Sequence, residues 1–556
     1  MNKTLLVSAL ALAVAGPAVA GRSVTDVSLG GPNSAVITPV NINAPNVGLN
    51  DPTPLAPAGG NPGQTIGEQR RIAYRFAADL WGAVLTSSVE IKVEAQFTPL
   101  SCTASSGVLG SAGTKQIFGW FTNSVIETWY GGALANARSG VDQNPADNDI
   151  RSNFNSNLGT PGCLENSGWY YGLDGNTPAG KINFLDVVMH EIGHGLNFQG
   201  FYNTGTGAPP SGTQPTWGDI YSNNVYDNNS AKTWKSMTNA ERVTAAVGGG
   251  LVWTGASVTA QVPAALSPLQ RLFFTGALNA NYVYGTAAFG PLATPANFNG
   301  NVVLVNDGVG PDSADGCETI PAGTLTGKVA FINRGACAFE IKTVNAQNAG
   351  ATQVVIANVP TSANPGTAPG MAEDPTVVAT IPAVSLNLAD GDAVRATIAG
   401  GLNAAIQNIP GQYAGADTSG RAKLYSPNPL ESGSSFSHYD VSHFPNALME
   451  PAINQDLDAN ARLDLSPALY QDEGWTLSSG NASFGQCTSL SIPLQAPVGK
   501  TPGAALVAAH KTCTVQAGGA RIVYRKCMAD VAIALAAKGV ITNAQANEVR
   551  ACAVRP

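Results

Sequence analysis

The pentapeptide His190-Glu191-Ile192-Gly193-His194 sits inside an apolar stretch that begins at Phe184. In a helix at about 100° per residue, His194 falls about 40° from His190, one turn up on the same face. Two imidazoles so placed can chelate one metal ion, and Glu191 lies on the same side as a carboxylate able to move a proton. Two basic side chains and an acid on an apolar helix are costly to bury without such a partner. Zn2+ is the ion this donor set favours, and hydrolysis at such a centre requires three protein ligands and one open position.

The elements that would position this group are legible nearby. Asn183 is placed to cap the helix, with Asp186 three residues on, and the helix should end near Asn197 to Gly200, where Asn tolerates a left-handed conformation. Upstream, Gly67 to Leu85 carries an amphipathic stripe of Ile72, Phe76, Leu80, Trp81 and Val84. Val89 to Phe97 alternates strictly and reads as a half-buried strand. A helix and a strand ahead of a metal-binding helix predict an α+β catalytic domain. Residues 21–60 and 140–180, rich in Gly, Asn, Asp or Pro, read as irregular.

Of 556 residues only 12% are charged, while Gly (62) and Pro (36) are plentiful, a loop-rich composition suited to the exterior of the cell. Net charge is −8 with no basic tract, which leaves nucleic acid without an electrostatic footprint. Residues 1–20 read as a signal peptide: Lys3, an apolar run from Leu5 to Ala15, and a small-residue site at Ala18-Val19-Ala20. No other stretch approaches membrane-spanning length. The expected location is therefore secreted, extracellular or periplasmic. Eight cysteines in an exported chain favour disulfides. Neighbourhood pairs Cys102 with Cys163 and Cys317 with Cys337; Cys487, Cys513, Cys527 and Cys552 leave three connectivities open.

The third ligand is not local, because Asn197 and Gly200 stand where a further Gly and His would continue the helix motif. The remaining histidines are His438, His443 and His510, and a glutamate such as Glu241 would make a different zincin. His438 and His443 lie in Ser437-His438-Tyr439-Asp440-Val441-Ser442-His443, followed by Leu448-Met449-Glu450-Pro451. That pairing resembles the leishmanolysin-like metzincin metalloproteases, in which a long insertion separates the helix motif from the third histidine. It is closest to bacterial secreted members carrying an inserted protease-associated (PA) domain. The resemblance implies His438 as third ligand, Met449 as the Met-turn residue beneath the metal, and a zincin-like fold.

Between the two parts of the motif, Lys328 to Ile332 reads as a strand, Phe339 to Ala349 as a helix closed by Gly350, and Thr352 to Ala357 as the next strand. The segment Gly327 to Phe339, continuing through Lys342, Ala346 and Asn348 to Ala351, resembles a PA domain, which implies an accessory α/β docking module. Asp456, Asp458 and Asp464 could bind Ca2+, although their spacing lacks an EF-hand pattern, and Asp147-Asn148-Asp149 is similar. Ala529 to Lys538 reads as a helix in a small Cys-containing C-terminal extension.

The expected division is a signal peptide (1–20), the first part of a catalytic domain (21–266), an inserted PA domain (267–415), the rest of the catalytic domain (416–480) and an extension (481–556). The expected function is a secreted zinc endopeptidase acting on proteins or peptides, with Glu191 as general base; the alternative is a non-catalytic binding or adhesion protein on the same scaffold. The sequence leaves the oligomeric state open.

Overall fold

The computed structural model describes residues 34–553 apart from 211–213 and 215, so the expected signal peptide lies outside the described residues. The chain first lays down β1 (Ile37–Asn41), α1 (Ile66–Val84), β2 (Ile91–Thr98), β3 (Gly110–Thr114), β4 (Ile117–Phe118), β5 (Thr128–Gly131), α2 (Gly132–Ser139), β6 (Ile150–Asn155) and α3 (Phe184–Gly195). Four strands form one sheet in the order β1-β2-β6-β3. β1, β2 and β6 run parallel, and β3 closes one edge antiparallel to β6.

β1 and β6 fall in segments whose composition reads as irregular. In β6 the inward positions are Ile150, Ser152 and Phe154. The polar one is satisfied by tertiary partners: Ser152 Oγ donates to the Glu94 carbonyl at 2.8 Å and lies 2.7 Å from the Tyr74 hydroxyl. A strand whose inward row includes a serine and whose neighbours are Asn and Arg hides its period from composition.

α1 starts where Thr65 accepts a hydrogen bond from Glu68 N. Its expected apolar stripe faces the core, but the helix is buried almost all round from Ala73 to Val84. The cause is the helix Pro502–Ala517, which packs on α1 and contributes Ala505, Leu506 and Ala509 to the same core. Asp79, on that buried side, is neutralised by Arg75 at 2.8 Å and Lys511 at 2.7 Å. The C-terminal residues are thus no loose extension. Their second helix, Arg521–Ala537, is longer than the sequence suggests; the disulfide Cys513–Cys527 ties it to the first, and Cys487–Cys552 ties the last helix, Asn543–Ala553, to the loop that precedes all three. Cys102–Cys163 and Cys317–Cys337 are also formed.

Residues 268–413 build a separate eight-stranded sheet. The strand that enters it, Pro268–Gly276, pairs antiparallel with the strand that leaves it, Leu402–Tyr413, so the two ends of the module lie side by side. At its centre Asn299–Leu304, Val329–Asn333, Gln353–Ala357 and Ala383–Leu386 run parallel. Val329 and Phe331 point to one hydrophobic cluster, Ala330 and Ile332 to another, as expected of parallel strands covered on both faces. The chain then rejoins the first core: Leu424 and Tyr439 pack there with Phe198 and Tyr470.

Candidate metal centre

α3 is anchored at its start. Asn183 Oδ1 accepts from Leu185 N at 2.9 Å and Asp186 N at 3.4 Å. Phe184 locks the first turn among Phe97, Phe154, Trp169 and Tyr171, with ring centroids 5.1–5.4 Å away. Every residue of the helix is buried.

His438 arrives from a loop held on both sides. Tyr425 N donates to the His438 carbonyl at 2.9 Å, and Tyr439 N to the Met449 carbonyl at 2.8 Å. The Nε2 atoms of His190 and His194 lie 3.0 Å apart, those of His194 and His438 3.1 Å, and those of His438 and His190 3.3 Å. The Nδ1 atoms all face backbone carbonyls: Leu448 for His190 at 2.7 Å, Phe198 for His194 at 2.8 Å and Ser434 for His438 at 2.8 Å. A carbonyl only accepts, so each Nδ1 carries the proton and each Nε2 offers a lone pair. Burial pushes His190 down to about 4 and His194 to about 3, and holds His438 well below the usual imidazole range, so the rings are neutral near pH 7.

Three neutral lone pairs converging at this spacing repel unless a cation lies between them. Donors about 2.0–2.1 Å from a tetrahedral zinc sit about 3.3 Å from one another, so the three imidazoles fit zinc and leave a fourth vertex.

Met449 is buried under α3. A Cβ added at Gly193 would lie 2.8 Å from Met449 Sδ and 3.1 Å from the Tyr470 hydroxyl, which itself donates to the Gly193 carbonyl at 2.7 Å. The glycine is therefore required by close approach. Gly193→Ala should destabilise the protein by about 1–3 kcal/mol through overpacking and loosen the metal helix, which thermal unfolding and zinc retention on dialysis would register. An unchanged melting temperature would contradict this packing.

Glu191 is buried and its carboxylate accepts a hydrogen bond from Ala112 N of β3. Burial pushes its pKa up to about 8. Gly110 of β3 also crowds it: a Cβ there would meet Glu191 Oε1 at 2.8 Å.

The helix exit turns on Asn197, at φ +101°. Its Oδ1 accepts from Gly131 N at 2.8 Å and its Nδ2 donates to Glu473 Oε1 at 2.8 Å. Asparagine thus does more here than tolerate the left-handed turn: it ties α3 to β5 and to the helix Ser466–Glu473. Glu473 is fully buried and held well above the carboxylate range by desolvation. Nothing in its local sequence, Gln471-Asp472-Glu473-Gly474, signals this role.

The other sequence candidates lie apart from the three imidazoles. His443 stacks on Tyr439 and its Nε2 faces the Lys423 carbonyl at 3.2 Å. Glu241 closes the capping box of its own helix and pairs with Lys232. His510 binds the Tyr524 hydroxyl at 2.7 Å and stacks on Phe484. The calcium expectation finds no support at Asp456, Asp458 and Asp464, which are each engaged elsewhere. Asp456 accepts from Asn446, Asp458 pairs with Lys538, and Asp464 accepts from Leu448 N at 2.6 Å. Asp147 pairs with Lys115, and Asp149 accepts from Lys92 N at 2.8 Å and Asn136 Nδ2 at 2.7 Å.

Comparison with known proteins finds limited likeness. No curated protein matches the chain. Among solved structures, a zinc aminopeptidase from Bacillus subtilis is similar at 19% identity and a TM-score of 0.18, over 28% of this chain and 37% of that one. A peptidase M28 precursor from Shewanella amazonensis SB2B is similar at 15% and 0.20, over 27% and 39%. The subtilisin-like protease Apa1 from Pseudoalteromonas sp. AS-11 is similar at 20% and 0.19, over 28% and 35%. The chain thus spans well under half the length of each, and superposition this poor says nothing about its activity. The family match is local and specific: residues 280–394, inside the eight-stranded module, match the PA domain family, and the chain therefore carries a PA domain.

Proposed function

We propose that this protein is a zinc-dependent endopeptidase of the metzincin type, with a catalytic domain built from residues 21–266 and 416–480 around the inserted PA module. The observation that carries this reading is the convergence of three unprotonated Nε2 atoms, from His190, His194 and His438, within 3.3 Å of one another. Zinc held there would acidify a water from a pKa of about 15.7 to about 7 and polarise a scissile carbonyl. A cation held by the three imidazoles would favour the ionised form of Glu191, opposing the upward push of burial; its carboxylate, steadied by Ala112 N–H, would take the proton of the attacking water and deliver it to the leaving amide nitrogen as the C–N bond breaks. β3 is the terminal strand of its sheet, so an extended polypeptide can lie along it on both sides of the scissile bond. That favours cleavage within chains over removal of terminal residues. Met449 supports the floor of the site without ligating the metal.

Export is part of the same reading. Four disulfides are consistent with an extracellular protein, and no helix among the described residues is long and apolar enough to cross a membrane. The PA domain would serve as a docking surface for protein or peptide substrates.

The test is digestion of casein by the purified protein before and after treatment with a zinc chelator. Activity should vanish on chelation and return with about one equivalent of zinc per chain. Proteolysis that survives complete metal removal would sink the proposal.

A further inference from the structure

The three imidazoles differ in what stands behind them. His190 and His194 ride on α3, which is held by Leu448, Tyr470 and Trp475. His438 belongs to the loop 436–444, and the partners of that loop lead to the place where the PA module joins the catalytic core.

The module enters through Ser267 and leaves through Ala414 and Gly415. Ala414 N donates to the Ser267 carbonyl at 2.9 Å, which ties the two crossings together, and Ser267 N donates to the Phe444 carbonyl at 2.7 Å. On the exit side, Lys423 N donates to the Gly415 carbonyl at 2.8 Å. Lys423 in turn meets the ligand loop: its carbonyl accepts from Asp440 N at 3.1 Å and faces His443 Nε2 at 3.2 Å. Two residues on, Tyr425 N donates to the carbonyl of His438 itself.

The junction also packs on the loop directly. Gly415 is at φ +84°, and a Cβ built there would lie 2.6 Å from His443 Cα and against the imidazole. That ring is buried and stacks on Tyr439, the neighbour of His438, with centroids 4.8 Å apart. Close-packed contacts of this kind pass a displacement on instead of absorbing it.

We propose that the junction of the PA module is a positioning element for the third zinc ligand: Gly415, packed on His443, and Ser267, bonded to Phe444, set where His438 stands. A load on the module is thereby felt at the metal, and by reciprocity the metal steadies the junction. The coupling rests on zinc being held by the three imidazoles, as proposed above.

The experiment follows release of zinc to a colorimetric chelator from the zinc-loaded full chain, as wild type, Gly415→Ala, Gly411→Ala and Gly420→Ala. Gly411 and Gly420 share the positive φ, at +70° and +75°, but a Cβ at either meets nothing within 4 Å. They therefore carry the backbone strain without the wedge. Gly415→Ala should release zinc about 10-fold faster or more, the weight typical of a group that orients a ligand, and the two controls should match the wild type. Equal rates in all four proteins, or equal acceleration in all three variants, would overturn the proposal. A second measurement needs no variant: amide hydrogen exchange of the wild type with and without zinc. Removing zinc should raise exchange at Ser267, Ala414 and Lys423, while Val354 to Ile356 at the centre of the module keep their protection. Unchanged exchange at the junction, or an equal rise at the centre, would likewise overturn the coupling. A wild type that holds no zinc would remove the metal centre itself, whereas these results on zinc-loaded protein would remove only its link to the module.

Discussion

Glu191→Gln should leave the fold and the bound zinc intact and lower kcat/KM on a protein substrate by about 10²–10⁴-fold, the usual weight of a positioned general base. The substitution is nearly isosteric. A glutamine Oε1 can still accept the hydrogen bond from Ala112 N, and the crowding by Gly110 limits where the new side chain can settle. What the amide lacks is a site for the water proton. Three measurements separate the outcomes: zinc per chain, melting temperature and casein turnover. If zinc and melting temperature are retained and turnover is also retained, Glu191 is not the base.

His438→Ala should abolish stoichiometric zinc, while His443→Ala should keep it. Loss of a partner that merely orients a ligand typically weakens metal binding by about 10–100-fold, and loss of a ligand should exceed that. The two histidines are five positions apart on one loop, both are buried, and both have depressed imidazole pKa values from burial. Burial and titration therefore do not distinguish them. Direction does: His438 Nε2 lies 3.1 Å from His194 Nε2, whereas His443 Nε2 ends on the Lys423 carbonyl. His443→Ala removes a ring stacked on Tyr439 and should lower stability without releasing metal. Equal zinc content in both variants, or loss confined to His443→Ala, would remove His438 from the ligand set.

The support behind these histidines explains why a distant loop can be trusted with a ligand. Asp464 accepts from Leu448 N, and the Leu448 carbonyl accepts from His190 Nδ1, so the turn that carries Met449 also orients a ring on α3. Tyr470 donates to the Gly193 carbonyl, and Trp475 Nε1 to the Leu196 carbonyl at 2.9 Å, so the residues beyond the turn clamp the same helix. α3 and the returning chain thus hold each other through backbone and side-chain contacts of their own.

Much of this was legible without coordinates. The i, i+4 spacing of His190 and His194 survives any packing, because helical pitch alone puts them on one face. The cap at Asn183, the stop near Asn197, and the strand–helix–strand of Val329–Asn333, Phe339–Asn348 and Gln353–Ala357 are local patterns, and the structure has them at or within a residue or two of the expected limits. Elements whose inward rows mix polar and apolar residues were not legible. β6 buries Ser152 only because Tyr74 and Glu94 meet it, and those partners lie far away in sequence.

The sequence by itself determined the chemistry on offer: a His–Glu–His helix, a second pair of histidines close before a methionine, a strand–helix–strand unit between them and an even set of cysteines. Those are statements about residue types and short-range periodicity, which a linear chain carries in full. Only the tertiary structure brought His438, and not His443, to the other two imidazoles, joined Cys487 to Cys552 and Cys513 to Cys527, tied Asn197 to Glu473, and buried α1 beneath the C-terminal helices. Each of those depends on where a side chain points after distant segments have packed, and direction in space is fixed by the shared core, not by spacing along the chain.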